Sequence, residues 1–342
     1  MKKTILFLIG LVFVSVNSMA DTRATALLLH NGEGRSFDAD QLQQAVSEAV
    51  SGDVIYLSEG TFLASKNAED TLVVDKAVSI IGNGNETILS GNLNIAIDGN
   101  PTLSGFKIGG MRITRNFFLS KQLRNVEISK CYIGGYFTAT DSVKGIKMDR
   151  CYAKSFIPTT CVRSATVMNS IFACVGEDYG NAKSMWYNSA GCDLTFMNCS
   201  IARIGQWTHQ TGHIYDATFV NCIIANIYSY NYENQNNTYI NCLVYGSIHD
   251  SNVVENCYLS NKLSAQGQTS SNNYFPTFKI DGKEITEEIL KGNGYLGTDG
   301  TIVGAYGGSN PYTLEADGIR IKESVLKVDP VTRQLNVTLK VE

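Results

Sequence analysis

Short stretches in which apolar and polar positions alternate, each ending at a polar corner, recur along the second half of this chain. They read "NVEISKCYI" (125–133), "GIKMDRCYA" (145–153), "ATVMNSIFA" (165–173), "LTFMNCSIA" (194–202), "ATFVNCIIA" (217–225), "NTYINCLVY" (237–245) and "NVVENCYLS" (252–260). Aligned on Cys131, Cys151, Ser170, Cys199, Cys222, Cys242 and Cys257, they are separated by 20, 19, 29, 23, 20 and 15 residues. A period near twenty with variable insertions marks a solenoid, in which each unit buries its core only by stacking on its neighbours. The period of two within a unit, carried by β-branched and aromatic residues, predicts strands.

Two other solenoids fit less well. Leucine-rich repeats need a dense leucine lattice, and helical repeats need a 3.6-residue period over ten or more positions; the chain has neither. A parallel β-helix remains, with two or three short strands per coil and coils about 4.8 Å apart. The repeated asparagine suits its corner because it tolerates left-handed backbone, and its amide is expected to bond to the amides of the coils above and below. The repeated cysteine is small and apolar enough for an interior stack just past the bend. The Tyr- and Asn-rich patch "NIYSYNYENQNNTYIN" is expected to face solvent.

Upstream, Leu42, Ala45, Val46 and Ala49 follow helical spacing, and Asp38 with Gln41 resembles a capping box. A short helix is therefore expected to plug the first coil, with "DVIYL" starting the strands. The order of this helix, "SGDVIYLSEGTF" and "VSIIGNGNETILSG" resembles the N-terminal module of the pectate-lyase-like family. The resemblance rests on Gly52, Asp53, Gly60, Thr61, Phe62, Ile80, Ile81 and Gly82. "TDGTIVGAYGGSNPYT" (298–313) resembles the closing coil of exported β-helix proteins of Bacteroidetes. These resemblances imply an all-β, right-handed parallel β-helix with an N-terminal capping helix and a short C-terminal β tail. Its expected limits are 21–308 for the β-helix and 309–342 for the tail, in which two strands flank Asp329 and Pro330. The family includes lyases, hydrolases, epimerases and adhesins, so the resemblance speaks for fold before activity.

The first residues, "MKKTILFLIGLVFVSVNSMAD", have the layout of a secretory signal peptide cleaved after Ala20, which places the mature chain in the periplasm, at the cell surface or outside. No stretch is long and apolar enough for a transmembrane segment. A net charge of −4 gives no electrostatic argument for nucleic acid as a partner. Of nine cysteines, six stand on the ladder, where parallel side-chain directions disfavour disulfides. Cys161, Cys174 and Cys192 lie off it, and one pair among them is open to bridging.

Chemistry is expected in the long insertions between coils, since the ladder is structural. "CVGEDYGNAKSMWYNSAGCD" (174–193) and "ARIGQWTHQTGHIYD" (202–216) trail the same edge, so they should stand side by side, one coil apart. Trp186, Trp207, Tyr187 and His209 suit sugar rings, and polysaccharide is the expected partner. A polysaccharide lyase needs a base for the proton alpha to a uronate carboxylate, a cation to neutralise that carboxylate, and an acid for the leaving oxygen. Lys183, Arg203 and His213 are the candidates for acid and base, and Glu177, Asp178 and Asp216 for oxygen ligands of Ca2+. A hydrolase ranks lower, for want of an Asp-Asp pair, and a zinc site at His209 and His213 lower still, because Gly212 speaks for a loop. The second functional class is a non-catalytic scaffold or adhesin. It is favoured by the sparse charge of the two insertions, which between them hold only Lys183 and Arg203 as cations.

Overall fold

The computed structural model describes residues 24–65, 70–157, 161–176, 193–205, 214–227, 234–246, 248–266, 275–315, 321–328 and 335–341. Its strands stack in parallel, coil upon coil, as a right-handed parallel β-helix with three lateral faces. Alternation sends every second residue inward. On the first face Ile55, Ile80, Ile108, Ile128, Met148, Val167, Phe196, Phe219 and Tyr239 form one inward column. The second face contributes Ile113, Ile133, Ala153, Phe172, Ile201, Ile224 and Val244. The third contributes Leu72, Leu93, Phe117, Phe137, Phe156, Val175, Ile204 and Ile227.

These columns are complementary in volume. From Phe117 to Tyr239 each coil places one large aromatic residue in them, and the aromatic changes face midway. Phe117, Phe137 and Phe156 stack on the third face, with centroids 5.3 and 5.5 Å apart. Phe172 on the second face bridges to Phe196 at 6.3 Å, and Phe196, Phe219 and Tyr239 continue on the first face at 4.9 and 5.1 Å. Where one face carries phenylalanine, the facing columns carry Ile, Met, Val or Ala, so the interior stays filled at constant coil width.

The repeated corner is left-handed. Lys130, Arg150, Asn169, Asn198, Asn221, Asn241 and Asn256 all have φ between 46 and 54°. Asparagine is the least strained of these three residue types there. The ladder cysteines do more than fill space. The N–H of Cys199 donates to Cys222 Sγ at 3.4 Å, that of Cys222 to Cys242 Sγ at 3.4 Å, and that of Cys242 to Cys257 Sγ at 3.3 Å. Each of these thiols in turn donates to the carbonyl two residues back, at 3.3–3.4 Å. Ser170 takes the same part, accepting from the N–H of Cys151 at 3.0 Å. Cys131, Cys151, Cys199, Cys222, Cys242 and Cys257 are free thiols.

The N-terminal end is covered as expected. Residues Leu42–Glu48 form a helix that buries Leu42, Ala45 and Val46, and the N–H of Asp38 donates to Gln41 Oε1 at 3.0 Å. Ahead of it, Thr25–His30 pairs antiparallel with both Glu33–Asp38 and Val54–Leu57, an edge cover that the repeat pattern does not announce.

The C-terminal segment departs from expectation. Parallel pairing ends at Tyr258–Leu259, where Val254 and Leu259 continue inward columns yet are 40% and 67% exposed. Residues 298–313 do not close that coil; they return along the side of the solenoid. Thr298 N–H donates to Asn221 Oδ1 (3.0 Å), Gly304 N–H to the Asn221 carbonyl (2.8 Å), and Ala305 N–H to Ser200 Oγ (3.0 Å). Asn169 Nδ2 donates to the Gly307 carbonyl (2.8 Å), and Lys130 Nζ to that of Glu315 (2.8 Å). The corner amides of Asn169 and Asn221 thus serve this returning segment. Coil-to-coil amide bonds belong to other asparagines: Asn92 and Asn116 in the early coils, where Asn116 N–H donates to Asn92 Oδ1 (3.1 Å), and Asn234, Asn237 and Asn252 in the later ones. Ala217 N–H donates to Asn237 Oδ1 (2.9 Å) and Asn237 N–H to Asn252 Oδ1 (2.8 Å). Asn234 and Asn237 are buried at 1% exposure, so this part of the asparagine-rich patch faces the interior. In the tail, Ile321–Val328 and Leu335–Val341 pair as an antiparallel hairpin. Among the described residues no helix is long and apolar enough to cross a membrane.

Candidate functional site

The edge that carries the insertions is well defined at its anchors. Val175, Ile204 and Ile227 are bridged in parallel on successive coils, and Val175 and Ile204 stand among the first residues of the two insertions. On the far side Asp193 pairs with Ser164, and Ile214 N–H donates to Asn234 Oδ1 at 2.9 Å. The insertions therefore leave and rejoin one edge of the solenoid on neighbouring coils. Lys183, Trp186, Tyr187, Trp207, His209, His213, Glu177 and Asp178 lie outside the described residues.

Two expected site residues are described. Arg203 precedes Ile204 on the third face and is 7% exposed. An arginine keeps its proton at any pH a protein survives, so there it suits carboxylate neutralisation rather than general-base chemistry. Asp216 is half-buried at a left-handed position (φ 55°) entering the first face, and its N–H donates to the Gln235 carbonyl at 3.4 Å. Among the described residues no three His, Cys, Asp or Glu side chains are grouped to hold a metal ion.

A second feature has no signal in the repeat. On the second face the outward column runs Tyr132, Tyr152, Ile171, Ser200, Ile223, Leu243 and Tyr258. Such positions ordinarily meet water; here Tyr152, Ile171, Ser200, Ile223 and Leu243 are buried, because residues 263–266 and 275–315 lie over them. Between solenoid and cover is a cavity of about 310 Å3. Ile171, Ser200 and Ile223 form its floor, Phe275–Phe278 and Leu290 its roof, and Ile302, Val303 and Tyr306 one wall.

The carboxylates of the cavity stand at its exposed rim. Glu284, Thr286 and Glu287 line it, and Glu287 is held by Lys291 in an i, i+4 pair at 2.5 Å. Burial, and then the charge of Glu284, push the Tyr306 hydroxyl above the usual tyrosine range, so it remains a hydrogen-bond donor at neutral pH. Phe275 is fixed between Tyr152 (5.3 Å, nearly parallel) and Tyr312 (5.8 Å), and Tyr306 meets Tyr312 edge-on at 5.9 Å. Apolar walls with aromatic faces and a few acceptors at the mouth suit a small polyhydroxylated ring: its C–H face lies on the aromatic surface and its hydroxyls donate to carboxylates. The volume, at the small end of ligand pockets, fits one or two such rings.

No protein-family model matches the chain, and no curated protein matches it. The class is therefore defined by the fold itself: a parallel β-helix with a laterally docked C-terminal cover.

Proposed function

We propose that the protein is an exported, pectate-lyase-like β-helix that binds polysaccharide, with residues 1–20 acting as its signal peptide. The single observation that carries this reading is the cavity under the C-terminal cover, where Phe275 and Tyr306 line a largely apolar space beside Glu284 and Glu287. Nothing in the coil repeat requires aromatics and carboxylates at that place, whereas recognition of a sugar can use both.

Titration calorimetry with a panel of neutral and acidic oligosaccharides tests it. Binding that weakens in Tyr306→Ala, with thermal stability unchanged, supports the reading. Absence of binding to every member leaves a non-catalytic scaffold or adhesin as the function.

A Ca2+-assisted lyase acting on an acidic glycan is the second reading, favoured by the anchoring of the insertions on neighbouring coils beside the buried Arg203. In it Lys183 or His213 moves protons, Arg203 neutralises the uronate, and Glu177, Asp178 and Asp216 hold the cation. A Ca2+-dependent rise in the ultraviolet absorbance of unsaturated uronate, lost in Arg203→Ala, is its test.

A further inference from the structure

The two ends of the solenoid are finished differently. At the first coil a helix buries Leu42, Ala45 and Val46, and Thr25–His30 adds an antiparallel edge. At the last, Tyr245, Val253, Val254 and Leu259 are each at least 40% exposed, although Val254 and Leu259 belong to inward columns. The strands Val253–Glu255 and Tyr258–Leu259 also end the ladder as edges. The N–H groups of Val253, Tyr258 and Ser260 donate back to the carbonyls of Asn237, Cys242 and Val244, so by alternation those of Val254 and Leu259 face away from the preceding coil. An apolar end rimmed by strand edges is a template for further strands.

The chain itself holds a complementary element. Ile321–Val328 and Leu335–Val341 form a two-stranded sheet of their own. In its register Leu326 pairs with Val337, Val328 with Leu335 and Ser324 with Leu339, so five of the six positions on that face are apolar; Glu323, Lys327 and Lys340 fall on the other. Two strands alone are marginal in water and gain stability by joining a larger sheet with an apolar face. Charge matches as well. Residues 321–341 hold four Lys and Arg against two Asp and Glu, whereas residues 248–260 hold Asp250 and Glu255, both exposed, and no Lys or Arg.

The hairpin does not reach the open end of its own molecule. From Thr298 to Glu315 the chain runs back past Asn221, Ser200, Asn169 and Lys130, toward the first coil. Lys130 stands six corners before Asn256. A strand added beyond that last coil is therefore seven coil spacings away, about 34 Å. The six residue steps from Glu315 to Ile321 span at most about 22 Å. In the other direction the first coil is three spacings away, about 14 Å, and within reach. The hairpin thus belongs at the capped end of its own solenoid, where the open end of another molecule can meet it. We infer that the hairpin of one copy docks on the open last coil of a second copy, extending the edge at Val253–Glu255 and continuing the inward column that Val254 leaves uncovered. The contact joins two different surfaces, so it propagates head to tail unless one of them is blocked. It stands independently of the polysaccharide reading.

The test is analytical ultracentrifugation of the chain from residue 21 onward, over a concentration series. Wild type is expected to give masses at multiples of one chain that rise with concentration. Leu259→Asp at the open end and Val337→Asp in the hairpin should each abolish association and leave a monomer with an unchanged circular dichroism spectrum. Leu259 is already exposed, so its replacement spares the fold. Met197→Asp, which alters an exposed apolar side chain on a mid-solenoid coil, should associate as wild type does. The deciding arm mixes the two monomeric variants: each carries one intact surface, so a one-to-one dimer that grows no further is expected. Wild type that stays monomeric at every concentration overturns the proposal, as does loss of association in Met197→Asp. Association retained by Val337→Asp also overturns it, because open ends then meet each other without the hairpin. So does a mixture of the two variants that stays monomeric.

Discussion

Coils 107–163 and coils 193–246 share a backbone path and differ in nearly everything placed on it. In the first group the aromatic of each coil stands on the third face, the corners at 130 and 150 are Lys and Arg, and the outer surface carries the exposed cations Arg124, Lys144 and Lys147, which make no ion pair among the described residues. In the second the aromatic stands on the first face, the corners are asparagine, and the outward column that runs Lys107, Glu127 and Lys147 in the first group continues as Thr195, Thr218 and Thr238. The interior therefore tolerates exchange of bulk between faces provided each coil keeps its total. Outward positions, free of that constraint, diverge, and the difference between the two groups concentrates at the surface.

The largest expected effect tests the volume rule. Phe219→Ala and Phe137→Ala should each lower unfolding free energy by about 3–5 kcal/mol in urea denaturation, since both empty the only aromatic place in their coil's columns. A much smaller loss at one of them would break the equivalence of the two groups. Next comes the corner. Asn221→Ala removes a residue suited to left-handed backbone and the side-chain amide that bonds Thr298, and should cost about 2–3 kcal/mol by the same measurement.

The sulfur ladder sharpens the comparison further, because Ser170 stands between its two runs. Cys222→Ala leaves the N–H of Cys199 without its acceptor and should cost about 1–2 kcal/mol, whereas Cys222→Ser, which copies Ser170, should cost less than Ala. Reactivity gives an independent check. Hydrogen bonding to Cys242, then burial, raises the Cys257 thiol above the usual range, so its thiolate is scarce below that range and appears only as pH rises beyond it. Site-resolved labelling of native protein by a thiol reagent should therefore be slow at Cys222, Cys242 and Cys257 at pH 8 and become fast only after unfolding; fast native labelling at these positions would contradict the hydrogen-bonded ladder. The smallest effect is of opposite sign: Arg150→Asn, which brings the second group's corner into the first, should stabilise by about 0.5–1 kcal/mol in thermal melts.

Much of this architecture is written in the sequence. The alternation in units such as "LTFMNCSIA" specifies inward Leu194 and Phe196, the αL tolerance of asparagine specifies the bend, and the spacing of Leu42, Ala45 and Val46 specifies the capping helix. These are local or one-period signals, and backbone sterics with hydrophobic burial translate them directly. The sequence did not determine which way residues 298–313 run. Glycine-rich, aperiodic chain can close a coil or lie along a face equally well by local preference, and long-range bonds to Asn169, Ser200 and Asn221 made the choice. The cavity exists only through that choice. Its floor and roof are about a hundred residues apart, and no local rule relates Ser200 to Tyr306 until the cover has docked.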